Sequence, residues 1–575
     1  VAVDLPSFAC APGCRVVLQP GPRHDPAAER VVLGWLRERG AVVVDGGAQL
    51  VVRVGEVHDG PPESYGLVVE PGLVRLAGAD AAGVHHAAQA LRALARPQEP
   101  LPAVRTSAAP AMPFRGSIEG FYGTPWSHED RLAHLDHLAA LRMNTYVYAP
   151  KDDAHHRERW REPYPPGELA RLGELVERAR ERHVRFVFTV SPGLSMRYSD
   201  EADVAALLAK FQAVHDLGGR DFAVAMDDID PRVWHADADA ERFAEGAGAA
   251  HAWLTGRVVE WARGLGDCAP VQFVPTEYYD LADTPYKRAL RERLDPQVLV
   301  WWTGDGVVPA TITRADAAAA ADVYGHRLLV WDNFPVNDYL PGRIPLGDWS
   351  GRQDGLSAHV EGVLANPMVQ PTLSRVALHS FAEYGWDDQG FDPRASWRRA
   401  LAAQAGGRAD VLDALVAFAD LNTRDERLHL AQAPRHAAGL DAVRAAWRTG
   451  DVAAAQARLR RIAARLAAVP ETVRRGVDPR FAAEAAPWLD ATGLLGRALA
   501  AVVPVLAGDT RTQVRAEIGE LLGRVAALRD HTLPHRGGPV LVGDGVIDRF
   551  LLELVEHTSG GGASIAPAPG AAPPG

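Results

Sequence analysis

Apolar and polar positions change rhythm three times along this 575-residue chain. From residue 1 to 110, short β-rich runs at 15–18, 42–44, 50–54, 65–69 and 74–76 alternate with two stretches of helical spacing, 27–39 and 83–95. Alternation at period two buries one face of a strand, and a 3.6-residue period one face of a helix, so this portion predicts a small α+β domain. The Pro-rich segment 96–110 predicts the linker that closes it. From 111 to 392 the pattern becomes strand, loop, helix, repeated. Strand candidates lie at 114–119, 145–149, 185–190, 222–226, 271–274, 298–302, 328–331 and 360–364. Eight such units predict an α/β fold, a closed (β/α)8 TIM-type barrel rather than a doubly wound sheet. From 393 to 557 the chain is rich in Ala, Leu and Arg at helical spacing, which predicts a C-terminal helical domain. The Gly/Ala/Pro tail, 558–575, predicts disorder.

The chemistry collects where the predicted strands end. Met226-Asp227-Asp228-Ile229-Asp230 closes the fourth barrel strand. Side chains alternate faces along a strand, so adjacent carboxylates serve one pocket only where the strand geometry breaks. Barrel enzymes keep their reacting groups at that end. Neighbouring carboxylates also push their proton affinities apart, one staying ionised to stabilise and the other protonated to donate, which is what cleavage of a glycosidic bond needs. Taken alone, DDID is better explained as a solvated turn with a helix cap. The other strand ends weigh against that: Glu119-Gly120-Phe121-Tyr122-Gly123-Thr124-Pro125-Trp126, then Ala149-Pro150-Lys151-Asp152-Asp153 running on as AHHRERWREPYP, Pro275-Thr276-Glu277-Tyr278-Tyr279, Trp301-Trp302-Thr303-Gly304, Trp331-Asp332-Asn333 with Asn337-Asp338-Tyr339 behind it, and Asn366-Pro367. Aromatic rings stack on the apolar face of a sugar while amides and carboxylates bind its hydroxyls, so this composition predicts a sugar pocket.

Composition removes other classes. With 61 Lys+Arg against 73 Asp+Glu the formal charge is −12, and no basic cluster supplies a nucleic-acid footprint. No apolar stretch reads as a membrane span, and no basic-then-apolar leader stands at the N-terminus, so the expectation is a soluble, cytoplasmic chain with no membrane partner. Because the sequence begins at Val1, secretion after removal of an upstream segment stays open. The three cysteines are Cys10, Cys14 and Cys268. The first two could close a small disulfide loop or remain separate thiols. His155-His156 beside Asp152 and Asp153 offers metal-ligand types, but without the spacing of a metal motif, so neither metal nor other cofactor is expected. Gly304 and Gly306 are not followed by the Lys-Ser/Thr of a phosphate loop, and no GxSxG elbow is present. Oligomeric state is not legible.

EGFYGTPW, YAPKDD, FAVAMDDID, PTEYY, WTG, WDNFPVNDY and LANP, in that order, resemble the catalytic domain of glycoside hydrolase family 84, the β-N-acetylglucosaminidases that include O-GlcNAcases. The resemblance runs from about 113 to 386. YGLVVEPGLVRLAGADAAGVHHAAQAL also resembles the small α+β domain that precedes the barrel in hexosaminidases. What the resemblance implies is a carbohydrate or glycoconjugate substrate, hydrolysed with retention through an oxazoline that the substrate's own acetamide forms. It implies that Asp228 is the general acid, then base, and that Asp227 holds the acetamide N–H. Gly120, Lys151, Asn333, Asp338 and Asn366 match positions that bind the sugar, Tyr278 matches a tyrosine near the acetamide, and Trp331 matches a pocket wall. Each has a plainer reading. Lys151 could pair at the surface with Asp152 and Asp153, Asn333 and Asn366 could form turns, Asp338 could cap a loop, and the tryptophans could fill the core. Two other functions compete with exo-hydrolysis: endo-cleavage of a glycosaminoglycan such as hyaluronan, and a catalytically silent barrel that binds N-acetylglucosamine as a lectin.

Overall fold

Eight parallel strands of the middle portion close on themselves, each hydrogen-bonded to the next in sequence and the last to the first. The computed structural model describes residues 5–8, 10, 12–96, 99–509, 512–532 and 537–557, so the tail 558–575 lies outside the described residues. Two compact units emerge: Val1–Val336 with Trp349–Ser396, and Asn337–Asp348 with Trp397–Gly575.

In the first unit, an N-terminal mixed sheet contains β1 (Leu5–Phe8), β2 (Arg15–Pro20), β3 (Val42–Val43), β4 (Leu50–Val57), β5 (Tyr65–Glu70), β6 (Leu73–Gly78) and β7 (Leu101–Ala108), in the order β1-β7-β5-β6-β4-β2-β3. Strand β7 corrects the expectation of a linker at 96–110. Its β-forming run Val104-Arg105-Thr106 pairs antiparallel with β5, and that ladder begins only at Val104, so the missing N–H of Pro102 costs it nothing. Helices Pro26–Glu38 and Ala81–Leu94 supply Val32, Trp35, Leu36, Val84 and Leu91 to the buried cluster under the sheet. Each starts on an aspartate, Asp25 or Asp80, whose carboxylate accepts a backbone N–H of the first turn. Cys10, Cys14 and Cys268 are all free thiols.

The barrel strands are β8 (Phe114–Glu119), β9 (Thr145–Tyr148), β10 (Arg185–Val190), β11 (Asp221–Ala225), β12 (Gln272–Val274), β13 (Leu299–Trp302), β14 (Leu328–Pro335) and β15 (Gly362–Asn366). Alternate residues point inward, as the period of two requires, and fill the interior: Ile118, Val147, Val187, Ala223, Ala225, Val274, Leu299, Trp301, Leu329, Trp331 and Leu364 form one buried cluster. Small Ala223 and Ala225 on β11 leave room inside the barrel for the indoles of Trp301 and Trp331.

Polar contacts fasten the N-terminal sheet to the end of the barrel where the strands begin. Glu63, at the turn before β5, ion-pairs with buried Arg115 of β8 and accepts a hydrogen bond from Asn144 Nδ2 at 2.7 Å. His86 Nε2 lies 3.1 Å from the same carboxylate. Trp386 packs beside them, its ring 5.3 Å from the His86 ring and under the Arg115 guanidinium. Burial alone would raise the carboxyl pKa of Glu63; His86 and Arg115 reverse that and hold it well below the usual carboxylate range.

In the second unit, helix Val452–Gly476 buries Leu459, Ala463, Leu466, Val469 and Val473, a stripe at helical spacing. It packs on helices Ala409–Asp420, Pro434–Arg448 and Ala486–Ala501. The segment Ala486–Ala507 corrects a second expectation, because its 22 residues are apolar and long enough to cross a membrane. Its apolar window is 72% buried among its own neighbours, however, as suits a core helix.

Removing one partner of a buried ion pair leaves the other charge uncompensated, at a cost of about 3–5 kcal/mol. Glu63→Gln is therefore expected to lower stability by about 3 kcal/mol at pH 7, read from the urea midpoint of the first unit's transition. Because the folded pKa of Glu63 is depressed, its contribution is complete above the unfolded value near 4.3 and is lost as pH falls through the folded one. The difference between the two proteins should thus persist from pH 7 to about pH 5 and shrink below about pH 4. An unchanged midpoint at pH 7 would show that the pair contributes nothing.

Candidate active site

Strand β11 ends at Ala225, and the chain bends within the next three residues. Met226 N still donates to Val274 O at 2.8 Å, and Met226 O accepts from Thr276 Oγ1 at 2.5 Å, so the ladder holds to the residue before the pair. Asp228 then adopts φ 54°, in the left-handed region that a β-carbon disfavours. The break sends the two carboxylates into different surroundings: Asp227 is 5% exposed, whereas Asp228 lies open at the mouth.

Asp227 Oδ2 is held by the ammonium of Lys151, itself 5% exposed on the loop after β9. Lys151 therefore does not form a surface cluster with its neighbours. Asp152 accepts the Gly123 N–H, and Asp153 accepts the hydroxyls of Tyr148 and Tyr164. Asp227 Oδ1 is buried and makes no hydrogen bond within the described residues. Burial would push the Asp227 carboxyl up, but Lys151, through charge and hydrogen bond, followed by Arg157 and His156, brings it below its ordinary value. His156, fully buried, is pushed down to about 4 by burial and the nearby Lys151 charge, so its ring is neutral at pH 7.

Asp228 accepts two phenol hydroxyls. Tyr278 donates to Oδ1 at 2.9 Å, and Tyr122 donates to Oδ2 at 2.7 Å. Both phenols are pushed up, first by burial and then by the Asp228 charge, so they remain donors across the working range.

Trp331 stands beside Lys151 at the end of β14. It is 7% exposed and meets Trp301 edge to face at 6.2 Å, with Lys151 Nζ 5.5 Å from its ring centroid. Gly120 faces it so closely that a Cβ would stand 2.2 Å from Trp331 Cζ2, so any larger residue displaces the indole. Trp331 Nε1 and Asn366 Nδ2 donate to Asn333 Oδ1 at 3.0 and 2.9 Å, and Asn333 Nδ2 donates to Val307 O at 2.8 Å. Asn366 Oδ1 is buried with no hydrogen bond in the described residues. Asp332, between Trp331 and Asn333, points the other way and is held bidentately by Arg352 at 2.7 Å. Strand β14 runs to Pro335, past the expected end at 331, and this extension carries Asn333.

Gly120, Lys151, Asp227, Asp228, Tyr278, Trp331, Asn333 and Asn366 are thus joined by contacts or by chain adjacency inside the first unit. The ninth sequence candidate, Asp338, is half-buried in segment Asn337–Asp348, which groups with the second unit. Three close neighbours of the pair, Tyr122, His156 and Arg157, carry no role in the sequence pattern, although all lie in the loops after β8 and β9. A hydroxyl-bearing aromatic two residues past Gly120 was the only sequence signal for Tyr122, and no periodicity marks the other two. Chemically, the site offers a buried ionised carboxylate with one unused acceptor, a solvent-facing carboxyl with two phenol partners, and an indole with amides around it.

These residues lie within a segment, 115–420, that matches the beta-N-acetylglucosaminidase family profile, while 5–107 matches domain 2 of glycosyl hydrolase family 20. Protein O-GlcNAcase of Mus musculus is 36% identical over 276 residues, covering 47% of this chain and 29% of that protein. The matched segment thus spans under a third of the length of this curated relative. A solved structure named CpGH84B superimposes with a TM-score of 0.81 at 25% identity, over 96% of this chain and 98% of its own. An O-GlcNAc hydrolase mutant from Thermobaculum terrenum gives 0.70 at 27% identity, over 78% of this chain and 95% of its own. With more than half its length inside the family profile and this site at the strand ends, the chain belongs to the beta-N-acetylglucosaminidase family of glycoside hydrolases.

Proposed function

We propose that this protein is a retaining exo-β-N-acetylglucosaminidase acting by substrate assistance, with O-linked N-acetylglucosamine on proteins as the first substrate class to test. The observation that carries the reading is the contrast within the acidic pair. Asp227 is buried, ionised against Lys151 and left with one acceptor oxygen, which suits an acetamide N–H; Asp228 is open toward the leaving group. In the proposed first step the acetamide oxygen bonds to the anomeric carbon as the glycosidic bond breaks, and Asp228 gives its proton to the departing oxygen. Asp227 accepts the N–H and offsets the positive charge that develops on the oxazoline. Water, losing a proton to Asp228, then opens the oxazoline, and two displacements retain configuration. Trp331 lines the apolar sugar face, and Gly120, Lys151, Asn333 and Asn366 surround its polar groups. Tyr278, which also donates to Asp228, is assigned to the acetamide side of the sugar, and Asp338 to the sugar hydroxyls. Domain boundaries at 110/111, 392/393 and 557/558 belong to the same reading.

A good leaving group needs little protonation, whereas oxazoline formation is required whatever departs. Asp228→Ala should spare a dinitrophenyl N-acetylglucosaminide far more than an alkyl one, and Asp227→Ala should damage both. Equal leaving-group sensitivity in the two variants would break the assignment.

Fluorination of the N-acyl group withdraws electrons from the nucleophile. Turnover should fall steeply from acetyl through mono-, di- and trifluoroacetyl substrates. A flat series would point to a nucleophile supplied by the enzyme.

A carboxylate binding two hydroxyls makes charge-assisted bonds of about 1.5–3 kcal/mol each. Asp338→Ala should therefore lower kcat/KM on an aryl N-acetylglucosaminide by roughly two to four decades at about 1.4 kcal/mol per decade. Near-normal kcat/KM, whatever the melting temperature, would remove Asp338 from the site.

A further inference from the structure

Asp228 combines two demands that its own chemistry does not meet. Its φ of 54° is disfavoured for a residue with a β-carbon, and its exposed carboxyl takes its orientation from two phenols, Tyr278 on Oδ1 and Tyr122 on Oδ2. One buried guanidinium bears on the backbone and on one of the two phenols. Arg157, 7% exposed on the loop after β9, donates from Nη2 to the Asp228 backbone carbonyl at 3.2 Å and from Nη1 to the Tyr122 hydroxyl at 2.7 Å. Tyr122 in turn donates to Asp228 Oδ2 at 2.7 Å. The positive fork thus grips the residue by its main chain and, through one phenol, by its side chain. With Arg157 donating to the phenol oxygen, the Tyr122 proton is directed at the carboxylate.

We infer that Arg157 is a positioning residue for proton transfer, setting the backbone and the carboxyl orientation of Asp228 without touching substrate. The inference rests on the acid/base role proposed for Asp228. Lys151 supplies the other half of the site by a direct ion pair to Asp227, where the charge of Arg157 adds only a weaker effect, so each carboxylate is positioned chiefly by its own cation: Lys151 for the oxazoline half of the reaction, Arg157 for the protonation half. Arginine suits this place because its planar fork reaches two acceptors at once, whereas the single ammonium of a lysine at 157 would satisfy one geometry at a time.

The consequence is selective. Loss of Arg157 should harm departure of poor leaving groups and leave oxazoline formation nearly intact. In the full chain, Arg157→Gln should lower kcat/KM on an alkyl β-N-acetylglucosaminide by roughly a hundredfold and on a dinitrophenyl one by less than about threefold, following the usual worth of general acid catalysis. Arg157→Lys should fall between, and Tyr122→Phe, which removes no buried charge and keeps the ring, should show the same selectivity more weakly. Asp228→Ala is measured beside them. If Asp228→Ala is selective while Arg157→Gln and Tyr122→Phe lower both substrates equally, or neither, the inference is overturned and the acid assignment stands. If Asp228→Ala is itself unselective, the acid role fails and this inference fails with it. Should Arg157→Gln not fold, the lysine and Tyr122→Phe variants decide by the same ratio.

Discussion

The ion pair between Lys151 and Asp227 is the interaction on which the pocket depends. A carboxylate 5% exposed at the mouth of a barrel would take up a proton or swing to solvent unless a cation met it. Lys151 meets it from the loop after β9, two strands away, and at the same time lies over Trp331, so one ammonium couples the buried carboxylate to the indole. Trp331 can stand there because residue 120 has no side chain, and its indole N–H fixes Asn333, which in turn fixes Asn366. Four strand ends are thereby tied to one buried charge. Such a pair contributes little net stability, since desolvation cancels most of the attraction. Its physical yield is a carboxylate kept ionised with one oxygen unused among the described residues, which the proposed reaction requires and folding does not.

The same economy explains why the strained residue of the pair is Asp228. A strand delivers consecutive side chains to opposite faces, so two adjacent carboxylates converge only if the backbone leaves the extended region between them. The positive φ at Asp228 is that departure. Strain of this kind persists where the surroundings over-determine it, and here they do so with a guanidinium on the carbonyl and two phenols on the carboxylate.

What could be read in the amino-acid order follows the range of the interactions involved. Most barrel strands were legible because they are short apolar runs bounded by turn residues, and a buried parallel strand of that kind needs nothing from outside its own sequence to look like one. Strand β7 was not, because Pro102 and the flanking prolines are local signals for a linker, while the pairing that makes it a strand comes from β5, some thirty residues earlier in the chain. Ala486–Ala507 was passed over as an apolar stretch because Asp490 and Arg497 interrupt it, yet over its whole length it is apolar enough to span a bilayer, and its burial identifies it as a core helix. In the site, the carboxylates, the lysine and the amides stood out at strand ends as polar groups where turns were expected. Tyr122 and Arg157 did not, since a tyrosine and an arginine in a loop carry no pattern until the loops after β8 and β9 are folded beside the one after β11.

That last point separates two kinds of residue in a barrel enzyme. Groups proposed to meet the substrate must project from strand ends, which limits their positions and makes them recognisable in sequence. Groups that orient them are limited only by reach, and an arginine side chain is long enough to act from any adjacent loop. Arg157 lies 71 residues before the carbonyl it holds and 35 after the phenol it engages. Its burial and its two acceptors make sense only once the fold has placed Asp228 in a conformation that needs holding. The supporting arginine is therefore a consequence of the backbone break, and the break a consequence of asking two neighbouring carboxylates to serve one pocket.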